Sequence, residues 1–193
     1  DATILPTELP SRQAFDLLVD EYGAGEISPF VVSVQSPTSI FSRDNVLALY
    51  QLTERIRRDP RVVRVQGIAA FDEDVTSDQA VALVNLRRGL GDLFLESRLG
   101  RLADDKTAVI IAYTRSYPNS DENKTLLREI RAYDAGGDFT MSVGGGTAEI
   151  VDTVDQMYGD FPRAVALIVV ATYLVLLVLF RSVLLPLKAI VMN

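Results

Sequence analysis

The 193-residue sequence contains no cysteine and no histidine. These absences exclude disulfides, thiol nucleophiles, Cys/His zinc sites and every Ser-His or Cys-His catalytic arrangement. Basic residues are scarce before the C-terminal end: three of the 19 and none of the 26 acidic residues follow Pro162, which leaves residues 1–162 with 16 against 26, a net charge of −10. Such a surface, without a basic stripe, excludes nucleic acid as a favoured partner. The composition therefore predicts a protein that is not an enzyme and uses no cofactor.

A long apolar run lies near the C-terminus. Ala164–Phe180 reads AVALIVVATYLVLLVLF, in which only Thr172 and the hydroxyl group of Tyr173 are polar. As a helix this run is about 25 Å long, and its apolar flanks extend it toward the thickness of a bilayer core. A buried helix of a soluble protein is the alternative, but the rest of the chain is too small to enclose it. We therefore predict a transmembrane helix and a cytoplasmic-side turn within residues 161–188.

The charges around this run predict its orientation. Arg181 and Lys188 follow the run, and by the positive-inside rule they face the cytoplasm, which places residues 1–160 outside it. The N-terminus lacks the basic start and apolar core of a signal peptide. Pro186 is expected to end or kink the helix, and the apolar residues 189–193 resemble the start of a further, truncated segment. A multi-pass membrane protein with residues 1–160 outside the cytoplasm is the prediction.

The preceding 160 residues show two strand–helix–strand units. A serine cap at Ser42, with Asn45 three residues later, marks the start of the first helix. Between the units, residues 77–104 have helical periodicity weakened by glycines, which predicts one or two inserted helices. The fold class is therefore α+β, a ferredoxin-like split βαβ sandwich with a helical insertion. The predicted strands are 30–36, 62–68, 107–113 and 138–143, and the predicted helices are 44–58 and 119–133.

A glycine-rich turn precedes an amphipathic segment that leads to the membrane. Residues 144–149 read GGGTAE between a predicted strand and a helix over 148–161. Backbone amides at such a helix start can hold an anion, but the run lacks the third glycine of a dinucleotide fingerprint and the Gly-Lys-Ser/Thr of a P-loop. A tight turn with close backbone approach is the ordinary interpretation. Gly159 and Pro162 mark a predicted joint, at which bending couples the outer domain to the span.

Acidic residues form two local groups, and a divalent cation or a carboxylate pair for acid/base catalysis is one interpretation of them. Solvated loops are the other interpretation, and proximity in sequence favours it. Metal-dependent hydrolysis abolished by Asp72→Ala or Asp104→Ala would support an extracellular hydrolase. The groups are Asp72, Glu73, Asp74 and Asp78, and Asp104 with Asp105.

Several motifs resemble the MMPL-type transporters of the resistance-nodulation-division superfamily. The run from Phe180 to Ala189, FRSVLLPLKA, with Met192-Asn193 after it, is similar to the segment that joins two transmembrane helices in that family. Val143-Gly144-Gly145 with Thr147-Ala148 and then Asp152 resembles the family's glycine-rich turn before a membrane helix. The Leu5-Pro6 start, the strand entry at residues 28–32 and residues 105–131 also fit. The resemblance covers the whole chain and is most specific over residues 105–193.

The resemblance implies a large exporter in a bacterial inner membrane that moves lipids or hydrophobic compounds and is driven by the proton motive force. Each half of such a protein has an outer loop domain between its first two helices, and the FRS-x-x-x-P-x-K-A form looks more like the C-terminal half. This chain would be one porter domain plus the following helix, with the second porter domain, the remaining transmembrane bundle, the bilayer and a lipidic cargo as partners. The proton-carrying helices of the family have no counterpart here.

These features give two sets of candidate site residues and one competing function. The predicted coupling turn comprises Gly144, Gly145, Gly146, Asp152, Gly159 and Pro162, and the cytoplasmic-side motif comprises Phe180, Arg181, Ser182, Pro186 and Lys188. The competing function is an extracytoplasmic interaction or sensor domain held by a single span. The exporter and the single-span domain differ in whether further spans belong to the same protein.

Overall fold

The computed structural model describes residues 4–71, 75–89, 100–136, 138–181 and 183, and it divides into unit 1 (residues 1–150) and unit 2 (residues 151–193). Within the described residues there are five α-helices and four strands. In chain order they are α1 (Pro10–Tyr22), β1 (Phe30–Gln35), α2 (Arg43–Arg57), β2 (Val62–Gln66), α3 (Ser77–Gly89), β3 (Thr107–Thr114), α4 (Asp121–Arg131), β4 (Thr140–Gly144) and α5 (Gly146–Phe180).

The four strands form one antiparallel sheet in the order β2-β3-β1-β4. Because β3 lies between β1 and β2 and runs against both, β1 and β2 point the same way without touching, which is the split βαβ arrangement. In the register of the sheet, Val32 of β1 lies opposite Ile110 on one side and Val143 on the other. The predicted α+β fold class with its ferredoxin-like sheet is confirmed.

The core lies between one face of this sheet and the helices α2 and α4. Side chains alternate along β1 and β3, so that every second residue is buried. Each large apolar side chain buried in this way contributes about 1.5–3 kcal/mol relative to an exposed one. The fully buried members are Phe30, Val32, Val34 and Ile110 from the strands, Val46, Leu49 and Ile56 from α2, and Leu126, Leu127 and Ile130 from α4.

The two strand-to-helix connections have the same cap. Ser42 Oγ accepts a hydrogen bond from the backbone N–H of Asn45, and Ser120 Oγ accepts one from the N–H of Asn123. The side-chain amide of each asparagine then donates three hydrogen bonds, one of them to a hydroxyl at or just after the end of the preceding strand. The cap predicted at Ser42 is confirmed, and its repetition at Ser120 shows that the two halves are built alike.

An ion pair connects the two strand–helix–strand units at the turn that precedes β2. Arg61, in the turn between α2 and β2, donates to Asp59 with an Nη2–Oδ2 distance of 2.6 Å and also pairs with Glu129 of α4. The hydrogen bonds from the Arg61 side chain hold the pKa of the Asp59 carboxyl below its usual range. Asp59 and Arg61 are both largely buried, so this pairing fixes the turn against α4.

The structure differs from the sequence-based elements in two places. Helix α1 was not predicted; it begins with Pro10 at its first turn, has no buried residue, and contacts the domain through Phe15, whose ring centroid lies 6.4 Å from that of Tyr117. Strand β4 begins at Thr140 and not at Asp138, because a turn with Gly136 at a φ of +73° precedes it.

The predicted insertion is helical over its first part. Helix α3 occupies residues 77–89 and packs on α2, where Val81 and Val84 surround Val46. A short 3-10 turn lies at Gly100–Leu102. The rest of the insertion, residues 90–99, lies outside the described residues.

Candidate functional site: the glycine turn and the membrane helix

The glycine-rich turn joins the last strand of the sheet to the longest helix. Strand β4 ends at Gly144, which lies opposite Val31 of β1. Gly145 follows with a φ of +106°, a conformation that residues with a side chain rarely adopt. Helix α5 begins at Gly146, and the N–H of Glu149 donates to the carbonyl of Gly145 at 2.9 Å. The chain thus reverses from strand to helix within two residues.

Gly145 is required by a close contact with the backbone at the entry to β1, whereas Gly146 lies against a serine side chain that can rotate. A Cβ atom at Gly145 would lie 2.3 Å from the carbonyl oxygen of Pro29, and one at Gly146 would lie 2.0 Å from the Oγ atom of Ser28. A Cβ at Gly144 would make an ordinary contact, 3.8 Å from the carbonyl oxygen of Val31. Two interpretations of this turn followed from the sequence, a tight turn with close backbone approach and an anion-binding site. The contacts with Ser28 and Pro29 are those of a tight turn.

Sequence reasoning did not identify Ser28 and Pro29 as the partners of this turn. Three consecutive glycines indicate that something approaches the backbone closely, but not which segment does so. The partners lie more than 100 residues earlier and reach the turn only because β4 pairs with β1. The pairing order of the sheet is the missing information.

Helix α5 continues without interruption from Gly146 to Phe180, a length of 35 residues. The helix predicted over residues 148–161 and the predicted span thus lie in one continuous helix, with Gly159 and Pro162 inside it. Pro162 lacks an N–H and so cannot bond to the carbonyl of Tyr158, but the neighbouring turns keep their hydrogen bonds. A Cβ at Gly159 would have nothing within 4 Å, so no contact requires a glycine there. Bending at these positions stays a prediction.

The second part of α5 has the length and composition of a membrane span. Its most apolar 18-residue window has a mean hydropathy of 2.6, and none of that window is buried. Large apolar side chains such as Leu167, Val170 and Leu174 are more than half exposed. A helix that is apolar all round and unburied is stable only with lipid or protein around it.

The C-terminal end of this span lies at Phe180. Arg181 has a φ of +44°, which ends the helix in a left-handed residue. Residues 184–187, part of the apolar flank after the run, lie outside the described residues. Ser182, Pro186 and Lys188 of the predicted cytoplasmic-side motif lie outside the described residues, and only Phe180 and Arg181 of that motif can be placed.

The acidic candidates hold turns and helices in place. Asp104 accepts hydrogen bonds from the backbone N–H groups of Lys106 and Thr107 at 2.9 and 2.8 Å, and these bonds lower the pKa of its carboxyl. Asp105 accepts a hydrogen bond from the Ser39 hydroxyl at 2.8 Å.

The remaining acidic candidates are not brought together with Asp104 and Asp105. Asp78 pairs with Arg43 at 2.6 Å. In the part of the chain that the structure describes, no three acidic side chains come together in a metal-binding arrangement. Asp72, Glu73 and Asp74 lie outside that part.

The chain has an antiparallel α+β unit, and the last strand of that unit turns through a tight glycine corner into a helix long and apolar enough to cross a bilayer. These features define a membrane protein with a folded domain and a span. The MMPL family model matches residues 3–192, almost the entire sequence, and the chain belongs to the MMPL family. No curated protein sequence matches it. Family membership indicates a membrane exporter of hydrophobic compounds and confirms the resemblance to MMPL-type transporters.

Proposed function

We propose that this chain is part of an exporter of lipids or other hydrophobic or amphiphilic compounds that is driven by the proton motive force. Unit 1 would be a porter domain that forms part of the outer substrate path, and the chain itself would have no catalytic activity. The family match over both the sheet domain and the span is the observation that carries this proposal. The structural use of Asp78, Asp104 and Asp105 in turns and ion pairs supports a non-catalytic role.

The glycine turn is the proposed mechanical connection within this exporter. At Gly145 and Gly146 the start of α5 lies directly against the entry to β1. A displacement of that strand would therefore be passed to the helix without a flexible linker. Asp152, Gly159 and Pro162 would lie along the same helix between the turn and the span. The remaining transmembrane bundle and a second porter domain are the proposed partners, and they would supply the proton-carrying residues.

Unit 1 is proposed to lie outside the cytoplasm of a bacterial cell, because Arg181 and Lys188 follow the span, against Arg163 at its start. The sequence has no cysteine, so single cysteines can report the topology without background. We expect Leu86→Cys, at a side chain that is 64% exposed, to react with a membrane-impermeant maleimide in intact cells. Val183→Cys, which is 61% exposed beyond the span, is expected to react only after the cells are opened. The reverse labelling pattern would contradict the proposed orientation.

Export itself is tested with the complete protein of which this chain would be one part. In vesicles with an imposed proton gradient, we expect the protein to move a fluorescent lipid analogue, and a protonophore to reduce transport to the level of protein-free vesicles. Transport that persists without the gradient would contradict the proposed energy source. A protein with a single span and no transport would instead support the interaction or sensor domain.

A further inference from the structure

Helix α5 presents one polar face just before its span. A shallow groove of about 510 Å³ on this face is lined by Asp152, Asp155, Gln156, Gly159, Asp160 and Arg163. Gln156 Nε2 donates a hydrogen bond to Asp160 Oδ2 at 2.5 Å. Phe161, 63% exposed, lies on the opposite face and continues the apolar surface of the span. Gly159 contributes no side chain, and open space surrounds the position of its missing Cβ. The groove is thus formed by a gap between charged neighbours.

The length of α5 places this face at the level of the lipid headgroups. A bilayer core of about 30 Å takes about 20 helical residues. Counting back from the helix end at Phe180, the core begins near Phe161. The headgroup layer adds about 5–7 Å on each side, or four to five residues. Residues 156–160 therefore lie among the headgroups, with Asp155 at their outer edge.

The charges on this face change sign along the membrane normal. The Cα atom of Arg163 lies at the edge of the core, and helical side chains lean toward the N-terminus, so its guanidinium reaches back to Asp160, with 3.4 Å between Nη1 and Oδ1. Asp160 and Asp155 lie further out. Arg163 is 86% exposed and Asp160 53%, so lipid can reach both groups. The positive charge is thus the deeper and the negative charges are the outer ones.

We propose that this face of α5 binds the headgroup of a zwitterionic phospholipid, with the phosphate at Arg163 and the ammonium group toward Asp155 and Asp160. In such a lipid the phosphate lies nearer the hydrocarbon and the ammonium group further out, which is the complement of the charge order on the helix. An anionic lipid without an ammonium group offers the same phosphate but nothing for the two carboxylates. The gap at Gly159 gives the headgroup access to the helix. This proposal depends on the span alone and not on transport.

The absence of tryptophan from the sequence allows a direct test by single-tryptophan quenching. Leu167→Trp places the reporter one turn below Arg163 on the same side of the helix, and Ile168→Trp places it on the side of Phe161; both side chains are more than 60% exposed. The full chain is reconstituted in vesicles that mix dibrominated dioleoylphosphatidylcholine with unbrominated dioleoylphosphatidylglycerol, and then in the converse mixture. The dependence of quenching on composition gives the relative binding of the two lipids at each reporter.

At Leu167→Trp we expect phosphatidylcholine to be preferred by about three- to fivefold, the size expected for one charge near a membrane surface. The preference should disappear when Asp155→Asn and Asp160→Asn are added, whereas Ile168→Trp should show no preference in either background. Equal binding at Leu167→Trp, a preference that survives the two asparagines, or the same preference at Ile168→Trp would each overturn the proposal. Absence of quenching at both reporters would overturn it too, because protein and not lipid would then cover the span.

Discussion

Replacing Gly145 with alanine is expected to lower the free energy of unfolding of unit 1 by about 3–5 kcal/mol. A φ of +106° strains any residue that carries a Cβ, and the new atom would lie 2.3 Å from the backbone oxygen of Pro29. That oxygen belongs to the entry of β1, a central strand of the sheet, and so cannot move away alone. Relief therefore requires β1 and β4 to separate, with loss of their hydrogen bonds.

Hydrogen–deuterium exchange of the full chain in detergent micelles measures this effect at the amides of β1 and β4. Gly144→Ala is the matched control, since its Cβ would make only an ordinary contact at 3.8 Å and its φ is not positive. We expect its exchange rates to change by less than about tenfold, against several hundredfold for Gly145→Ala. Similar exchange in the two variants would show that the turn is not held against Pro29.

Much of the sheet domain could be predicted because its signals are local. The alternation of Phe30, Val32 and Val34 with polar or exposed neighbours predicts a half-buried strand, and the structure buries those three residues. The caps at Ser42 and Ser120 mark helix starts to within one or two residues. Each of these signals depends on residues fewer than six positions apart.

Helix α1 shows why a local signal can fail. Phe15, Leu18, Val19 and Tyr22 recur at three- and four-residue intervals, as in an amphipathic helix, but this pattern was not recognised. The structure buries no residue of the helix, and Leu17 and Tyr22 are 69% and 65% exposed. Its start depends on Pro10, which is favourable at the first helical position and equally common in turns. In α5, by contrast, Gly159 and Pro162 lie inside a continuous helix, although both residue types often end one.

The position of the glycine turn could be predicted from the sequence, but the residues that contact it could not. Three glycines before an amphipathic segment predict a tight turn into the membrane helix, and the structure contains that turn. The contact with Ser28 and Pro29 depends on the pairing of β4 with β1, which spans more than 100 residues. The acidic residues of the polar face follow from the amphipathic segment predicted over 148–161, but the place of Arg163 on that face depends on the helix continuing through Pro162.

Placing a carboxylate at the centre of the span is expected to raise the free energy of membrane insertion by about 3 kcal/mol, or roughly 100-fold in the partition between inserted and extracted chain. Val170 lies at the midpoint of residues 161–180 and is 55% exposed, so Val170→Asp would direct a charge into hydrocarbon with no partner on the neighbouring turns of the helix. The fraction of the full chain that stays in the membrane after alkaline extraction measures the loss.

Gln156→Asp is the control for this prediction, because it adds the same charge to the same helix at the level of the headgroups, where water solvates it. We expect that variant to remain in the membrane like the unmodified chain. If Val170→Asp also remained there, the midpoint of α5 would have to face water or a polar protein surface and not lipid. The comparison therefore separates a midpoint of α5 that faces lipid from one that faces water or a polar protein surface, because the two arrangements predict opposite results.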